Sequence, residues 1–279
     1  MTLDVERSVV STPSPGPAGG DAARNSRDAL VNNLVRAVIA VVSLGAWELV
    51  SAAFHLDFWI SRPSYLFDVL GQWITNGYLW DNLKVTLAET AIGFAIGGLA
   101  GVGLGFLLGL ASRLGRILEP FISALYSIPK LALAPLFVLW LGIGYEMKIA
   151  LVALVVFLLM FWNCYSGARQ RDRELINVLR VMGATRRDVV RRVVIPGAMP
   201  SVYVGFKLSL PYALTGAVVA EIVASQAGMG FVLMNAAGVF DTDAVFAALF
   251  VLMVVGGILN LVLDKSERIV LRWQRAGLK

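Results

Sequence analysis

The stretch Arg169–Pro200, RQRDRELINVLRVMGATRRDVVRRVVIPGAMP, decides how the rest of the chain is read, because it is dense in charge and lies between apolar blocks long enough to cross a bilayer. Leu175, Val178, Leu179 and Met182 recur at helical spacing, Gly183 interrupts the run, and Thr185 with Asp188 forms a capping-box signature for a second short helix. The spacing predicts a helix-turn-helix lying along the membrane surface, its apolar face resting on the bundle or on a partner. Arg171, Arg173, Arg180, Arg186, Arg187, Arg191 and Arg192 hold it on the cytoplasmic side.

Composition agrees with a chain that lives in lipid. Hydrophobic residues make up 58% and charged residues 15% of the 279, and the mean hydropathy is +0.74, too apolar for an ordinary soluble domain. The net charge of +5 is gathered in short loops, so it reports orientation and excludes a nucleic-acid partner. Cys164 is the single cysteine and reads as a passive apolar thiol.

Six stretches approach the roughly 20 residues that span hydrocarbon. They are Leu34 to Phe54, Leu83 to Leu110, Leu118 to Leu141, Ile149 to Gly167, Val202 to Val223 and Ala244 to Leu263. Arginine and lysine collect before the first, after the second, after the fourth and after the sixth, whereas the other connections hold Asp57, Asp68, Asp81, Glu146, Asp241 and Asp243, with Arg62 and Lys148 the only bases. An all-α protein with six transmembrane helices and both termini in the cytoplasm satisfies that distribution. Residues 1–30, rich in Ser, Pro and Gly with no apolar leader core, read as a disordered cytoplasmic arm. Residues 31–79 hold the first span and an external amphipathic segment with Trp73 and Tyr78, residues 80–267 the main transmembrane domain, and residues 268–279 a cytoplasmic tail.

In the second span Gly93, Gly97, Gly101, Gly105 and Gly109 recur at every fourth position. Such a row lets two helix backbones approach closely in lipid. It serves packing inside one bundle or a sliding, dimer-facing surface. In the third span Pro129 and Pro135 remove helix hydrogen bonds and predict a break, which a membrane tolerates where protein or a water-filled cavity satisfies the freed carbonyls. Lys130 beside them lines a pathway, or else snorkels or pairs structurally. Glu221 and Glu89, toward the outer ends of their spans, are gate residues or satisfied structural carboxylates, and Lys207 is expected to snorkel. No phosphate-binding Gly-rich loop, metalloprotease His pair or serine-nucleophile motif is present, and His55 is the sole histidine. The chain therefore reads as a non-enzyme with no metal or cofactor of its own.

Three motifs carry a family resemblance. Gly183, followed after nine residues by Val193-Val194-Ile195-Pro196, resembles the E-A-A, three residues, G, nine residues, I-x-L-P signature of the permeases of bacterial ATP-driven importers; here the E-A-A positions hold Asn177, Val178 and Leu179, with Glu174 the nearest acid. Ser127-Ile128-Pro129-Lys130-Leu131-Ala132-Leu133-Ala134-Pro135-Leu136, with Leu139-Trp140-Leu141-Gly142-Ile143-Gly144 after it, is similar to the nitrate, sulfonate and taurine group of these permeases. Ala220-Glu221, Gly228-Met229-Gly230 and Met234-Asn235-Ala236 complete the likeness, which runs from Trp80 to the C-terminus.

The resemblance implies a type I importer permease in the bacterial inner membrane, with two copies forming the pathway and a solute-binding protein outside delivering a small anion such as a sulfonate, taurine, nitrate or bicarbonate. Two cytoplasmic ATP-binding cassette subunits, which hold ATP and Mg, would dock on residues 169–196. Glu174, Asn177, Leu179, Gly183, Ala184, Thr185, Arg187 and Pro196 are the implied coupling residues, and Pro129, Lys130, Pro135 and Glu221 the candidate pathway residues. The rival from another class is an ion-gradient-driven secondary transporter, which requires inverted repeats and mid-membrane acids.

Overall fold

The computed structural model describes residues 19–55, 58–170 and 173–270. Residues 1–56 form one unit and 57–279 a second, and each is considered by itself.

The first unit is helix α1, Gly19–Ala53, apolar from Val31 onward over 23 residues. It begins inside the stretch expected to be an arm, which corrects that expectation for residues 19–30. No proline follows Pro17 there and the segment Asp21-Ala22-Ala23-Arg24 is helix-compatible, so the turns of the apolar span propagate backwards. Residues 1–18 of the arm, Arg171 of the charged segment and the tail beyond Val270 lie outside the described residues.

The second unit contains every other helix. They are α2 (Pro63–Thr75), α3 (Tyr78–Leu110), α4 (Ser112–Ser127), a 3-10 turn (Lys130–Leu133), α5 (Ala134–Leu141), α6 (Tyr145–Arg169), α7 (Arg173–Val181), α8 (Arg186–Val189), a π turn (Val190–Val194), α9 (Ile195–Ala224), α10 (Met229–Gly238) and α11 (Thr242–Val270). Among the described residues, α1 included, five helices are long and apolar enough to cross a membrane, and the bent pair of residues 113–127 and 130–141 makes a sixth when counted as one span. The fold is all-helical and polytopic.

At the centre α3 packs along α6, and α6 packs along α9. The glycine row is the reason the first pair is so close. A Cβ at Gly93 would lie 2.5 Å from Val152 Cβ, at Gly101 2.7 Å from Met160 Cβ, at Gly105 2.7 Å from Cys164 Cβ and at Gly109 2.6 Å from Ala168 Cβ, while Gly97 faces the backbone of Ala153. Residues 152, 156, 160, 164 and 168 of α6 form a matching row at spacing four, all fully buried, so ridges of the two helices interdigitate. The glycines thus serve packing within one chain, and Cys164 is a small buried hydrophobe in that seam.

The third span is broken, at a different residue from one of the two expected. The chain leaves the helix at Ile128 and turns through 79°; Pro129 is extended and precedes the 3-10 turn. Pro135 breaks nothing. It occupies the first turn of α5, where its missing N–H is one that no helix uses. Two polar clamps tie neighbouring helices together at the arginine-rich end. Arg169 meets Glu119 at 2.5 Å and the Tyr165 hydroxyl at 2.5 Å, joining α6 to α4. Lys207, expected to snorkel, instead pairs with Asp264 at 2.6 Å and Glu267 at 3.3 Å, because α11 presents both acids one turn apart beside it.

Candidate functional site

The turn between α7 and α8 is fixed by two interlocking caps. The Ala184 N–H donates to Leu179 O at 2.9 Å and the Gly183 N–H to Arg180 O at 3.0 Å, the paired pattern that closes a helix on a left-handed residue. Gly183 has φ +83°, a conformation that costs other residues a steric clash. Thr185 then caps α8. Its Oγ1 accepts from the Asp188 N–H at 3.3 Å, and its own N–H donates to Asp188 Oδ2 at 3.1 Å, the capping box read from the sequence.

The second helix of this element is not a separate piece. It runs through the π turn into α9, with the Ile195 N–H reaching back to Val190 O. Pro196 explains the wider turn, since it has no N–H to give the Arg192 carbonyl one helical repeat before it. The turn is therefore mounted on the end of a helix of 30 residues, about 45 Å long at 1.5 Å per residue.

The apolar residues of α7 divide between two faces, a correction to the single stripe expected. Ile176 and Leu179 point inward onto Ala168, Val189 and Val194. Val178, Val181 and Met182 point away, with Val181 89% and Met182 77% exposed, and Leu175 is also outward. Glu174, Asn177, Thr185 and Arg187 are exposed around them, Ala184 and Pro196 half-buried. Of the implied coupling residues, Glu174, Asn177, Gly183, Thr185 and Arg187 are exposed while Leu179 faces inward, so the outward side of this element combines polar side chains with the apolar Val178, Val181 and Met182.

The pathway candidates are scattered. Lys130 donates to Tyr126 O at 2.7 Å and its ammonium lies 4.2 Å from the centre of the Tyr126 ring. Its partner is thus the carbonyl released where the helix breaks, together with a cation–π contact, and not a carboxylate. Pro129 and Pro135 are exposed.

Glu221 lies 26 residues beyond Ile195 on α9, and is 1% exposed. Its Oε1 accepts from the Thr86 hydroxyl at 2.7 Å and its Oε2 from the Gly230 N–H at 2.6 Å. Nearby, Lys148 of α6 is ion-paired with Glu89 of α3 and donates to Ser225 Oγ at 3.1 Å. Glu221 is thus a satisfied carboxylate, one of the two readings anticipated, whereas Glu89 has its ion pair with Lys148 but no hydrogen-bond donor on its Oε2 among the described residues; Lys148, Asn82 and Thr86 were not singled out from the sequence. The signal was present: Asn82, Thr86, Glu89 and Thr90 stand at helical spacing in an otherwise apolar span and continue the glycine face. Beside this cluster a cleft of about 510 Å³ is lined by Ile143, Glu221, Ser225, Gln226, Met234 and Asn235.

Six apolar spans by length and composition, one of them broken, with a capped turn carried on the end of another, mark a polytopic membrane protein among the described residues. The chain belongs to the family of binding-protein-dependent transport system inner membrane components, whose model matches residues 97–275. It is 34% identical over 203 residues to the putative aliphatic sulfonates transport permease protein SsuC of Bacillus subtilis, covering 73% of this chain and 74% of that one. It is 32% identical over 202 residues to the formylaminopyrimidine transport permease protein ThiX of Halalkalibacterium halodurans, covering 72% and 81%. The fold matches a chain of the inward-facing MetNI methionine ABC transporter with a TM-score of 0.59 at 21% identity, over 69% of this chain and 94% of that chain. The protein is a multi-pass inner-membrane permease of an ABC importer, and the ion-gradient-driven alternative finds no support among these relatives.

Proposed function

We propose that this permease works as a pair of identical subunits, that ATP-binding cassette subunits dock on residues 169–196, and that an external binding protein delivers a small anion, an aliphatic sulfonate first among the candidates. The observation that carries the docking assignment is the outward patch of Val178, Val181 and Met182 beside Gly183, at the foot of α9. A water-facing Val181 and Met182 lose stabilisation unless a partner covers them. ATP and Mg belong to the docked subunits, so this chain contributes mechanics and no catalysis. Closure of the ATPase pair pushes the turn, and α8, the π turn and α9 move with it as one lever. Two-state alternating access follows from such a coupled element. The sulfonate reading rests on the similarity to a permease named for aliphatic sulfonates; uptake of radiolabelled ethanesulfonate by proteoliposomes of the complete complex tests it, and uptake of a formylaminopyrimidine in its place would overturn it.

Gly183→Trp tests docking. Any side chain at φ +83° strains the cap by roughly 1–2 kcal/mol, and the indole would stand where the partner approaches. Co-purification of the ATPase subunits is expected to fall by about tenfold or more while membrane insertion is unchanged. Wild-type recovery of the ATPase with Gly183→Trp would remove the assignment.

Orientation follows from charge, with both termini and the docking turn in the cytoplasm. A cysteine replacing the exposed Asp68 of α2 should react with an impermeant maleimide added outside intact cells, and one replacing Arg187 only after permeabilisation; Cys164 is fully buried and stays silent. The inverse labelling pattern would reverse the topology.

Lys130 is the cation we assign to the pathway. Its carbonyl and ring contacts leave part of the ammonium unengaged, and Lys130→Met keeps the stem while removing the charge. Uptake at saturating binding protein is expected to drop by about tenfold, the effect of losing one charge contact, with complex assembly unaltered. Normal uptake would take Lys130 out of the pathway.

A further inference from the structure

Three consecutive backbone amides at the start of α10 are each held by a side chain from another helix. The Gly228 N–H donates to Asn82 Oδ1 at 2.9 Å, the Met229 N–H to Thr86 Oγ1 at 2.8 Å and the Gly230 N–H to Glu221 Oε2 at 2.6 Å. These are first-turn donors that a helix cannot satisfy internally, and all three residues are buried, where an unpaired N–H is costly. Asn82 and Thr86 lie one turn apart on α3, and Glu221 stands near the end of α9. Thr86 is the crosspiece, since its hydroxyl also donates to Glu221 Oε1 at 2.7 Å.

The glycines fit this arrangement and little else. Gly228 has φ +109°, and a Cβ there would run into the Glu221 carboxylate; a Cβ on Gly230 would come within 2.8 Å of Glu221 Cβ. Gly228 is therefore cut to admit the carboxylate, and Gly230, whose Cβ would also lie 2.3 Å from Val218 O, to let α10 approach the backbone of α9. Behind them, Lys148 joins Glu89 of α3 to Ser225 of the α9–α10 turn, and Ser225 in turn hydrogen-bonds Ala227 O at 2.5 Å.

We propose that Asn82, Thr86 and Glu221 form an amide clasp that acts as the catch of the outer gate: movement entering α9 at the docking turn is delivered by Glu221 to α10, and release of the three amides frees α10 from α3. The proposal rests on the permease reading for its part in transport, whereas the clasp itself is a property of this chain. Thr86 is its positioning residue. It touches no solute, but it holds α3, α9 and α10 in one register. α9 serves as the lever because it runs as one helix from Ile195 to Ala224, through the internal Pro200 and Pro211, with the docking turn at one end and the clasp at the other.

The test uses the complex of permease and ATPase subunits in lipid nanodiscs, with Met229→Cys as reporter and an impermeant maleimide as probe. Met229 is fully buried, so its labelling rate measures how often the clasp opens. Thr86→Val preserves shape and removes both hydroxyl functions; Thr86→Ser retains them. Labelling is expected to quicken by about tenfold in Thr86→Val, the usual consequence of losing a buried hydrogen bond, and ATP hydrolysis without binding protein to rise in parallel. Thr86→Ser should match the parent in both. Asn82→Ala, which deletes one of the three links, should quicken labelling as well and decides the matter if Thr86→Val does not assemble. Unchanged labelling in Thr86→Val and Asn82→Ala, or equal change in Thr86→Val and Thr86→Ser, would overturn the clasp. Faster labelling with hydrolysis falling in step with the amount of assembled complex would reduce it to a structural tie and overturn its role as a gate catch. Absence of ATP-driven uptake by the unmodified complex would refute the permease reading instead, and leaves the labelling rates to judge the clasp.

Discussion

Gly97→Leu is expected to prevent recovery of folded permease, the largest effect of any single substitution in the membrane-spanning bundle. A Cβ at this position meets the Ala153 carbonyl oxygen directly and lies 2.9 Å from Ala153 Cα, so the obstacle is backbone that cannot rotate aside. Overpacking a well-filled interior costs about 1–3 kcal/mol where side chains can adjust; here α3 and α6 must separate, and the neighbouring contacts of Gly93 and Gly101 are lost with them. In lipid no gain in apolar burial offsets the lost van der Waals contact. The measurement is the monodisperse fraction after detergent extraction and its thermal midpoint. Gly103→Ala is the control: it sits on the same helix, exposed and with nothing within 4 Å, and is expected to be neutral or slightly stabilising through helix propensity, by up to about 1 kcal/mol. Equal recovery of Gly97→Leu and Gly103→Ala would show that the close approach of α3 and α6 contributes nothing.

This contrast also shows what the sequence reveals and what it hides. The spans, the capping box at Thr185 and Asp188 and the break near Pro129 are local matters, set by periodicity, cap chemistry and the missing proline N–H, and each is visible in a few consecutive residues. The row of glycines is equally visible, but its partner is not. Spacing of four on α3 offers a face to any helix with small residues at the same interval, and only the three-dimensional pairing selects residues 152 to 168 of α6 over a second subunit. Pro135 illustrates a local rule applied at the wrong phase: a proline in mid-helix removes a hydrogen bond and kinks or breaks the helix, but one in the first turn starts it, and the difference depends on where the preceding turn ends. The clasp was hardest to read. Asn82, Thr86, Lys148 and Glu221 come from three helices, and Lys148 looked like an ordinary base in a loop because its carboxylate lies 59 positions earlier in the chain, at Glu89.

Lys148→Met should destabilise the permease severely, and the second substitution Glu89→Gln should largely restore it. The ion pair is buried on both sides, Lys148 at 6% and Glu89 at 1% side-chain exposure. Removing the ammonium leaves a buried carboxylate without its counterion, and breaking such a pair from one side costs about 3–5 kcal/mol. Met has a stem of comparable length and fills the space, so the loss is electrostatic and not a cavity. It also removes the donor to Ser225 Oγ, loosening the turn that leads into α10. Neutralising Glu89 as well takes the stranded charge away, and a buried pair replaced by neutral groups of similar volume is often no less stable than the original. Thermal midpoints of the wild type, both single variants and the double variant close a cycle whose coupling energy isolates the pair. A coupling of about 2 kcal/mol or more is the expected result, within the range found for contacting residues. If the double variant is as unstable as the sum of the two singles, Lys148 and Glu89 do not stabilise one another, and the firmness of the α9–α10 turn must come from the amide contacts of Asn82, Thr86 and Glu221 alone.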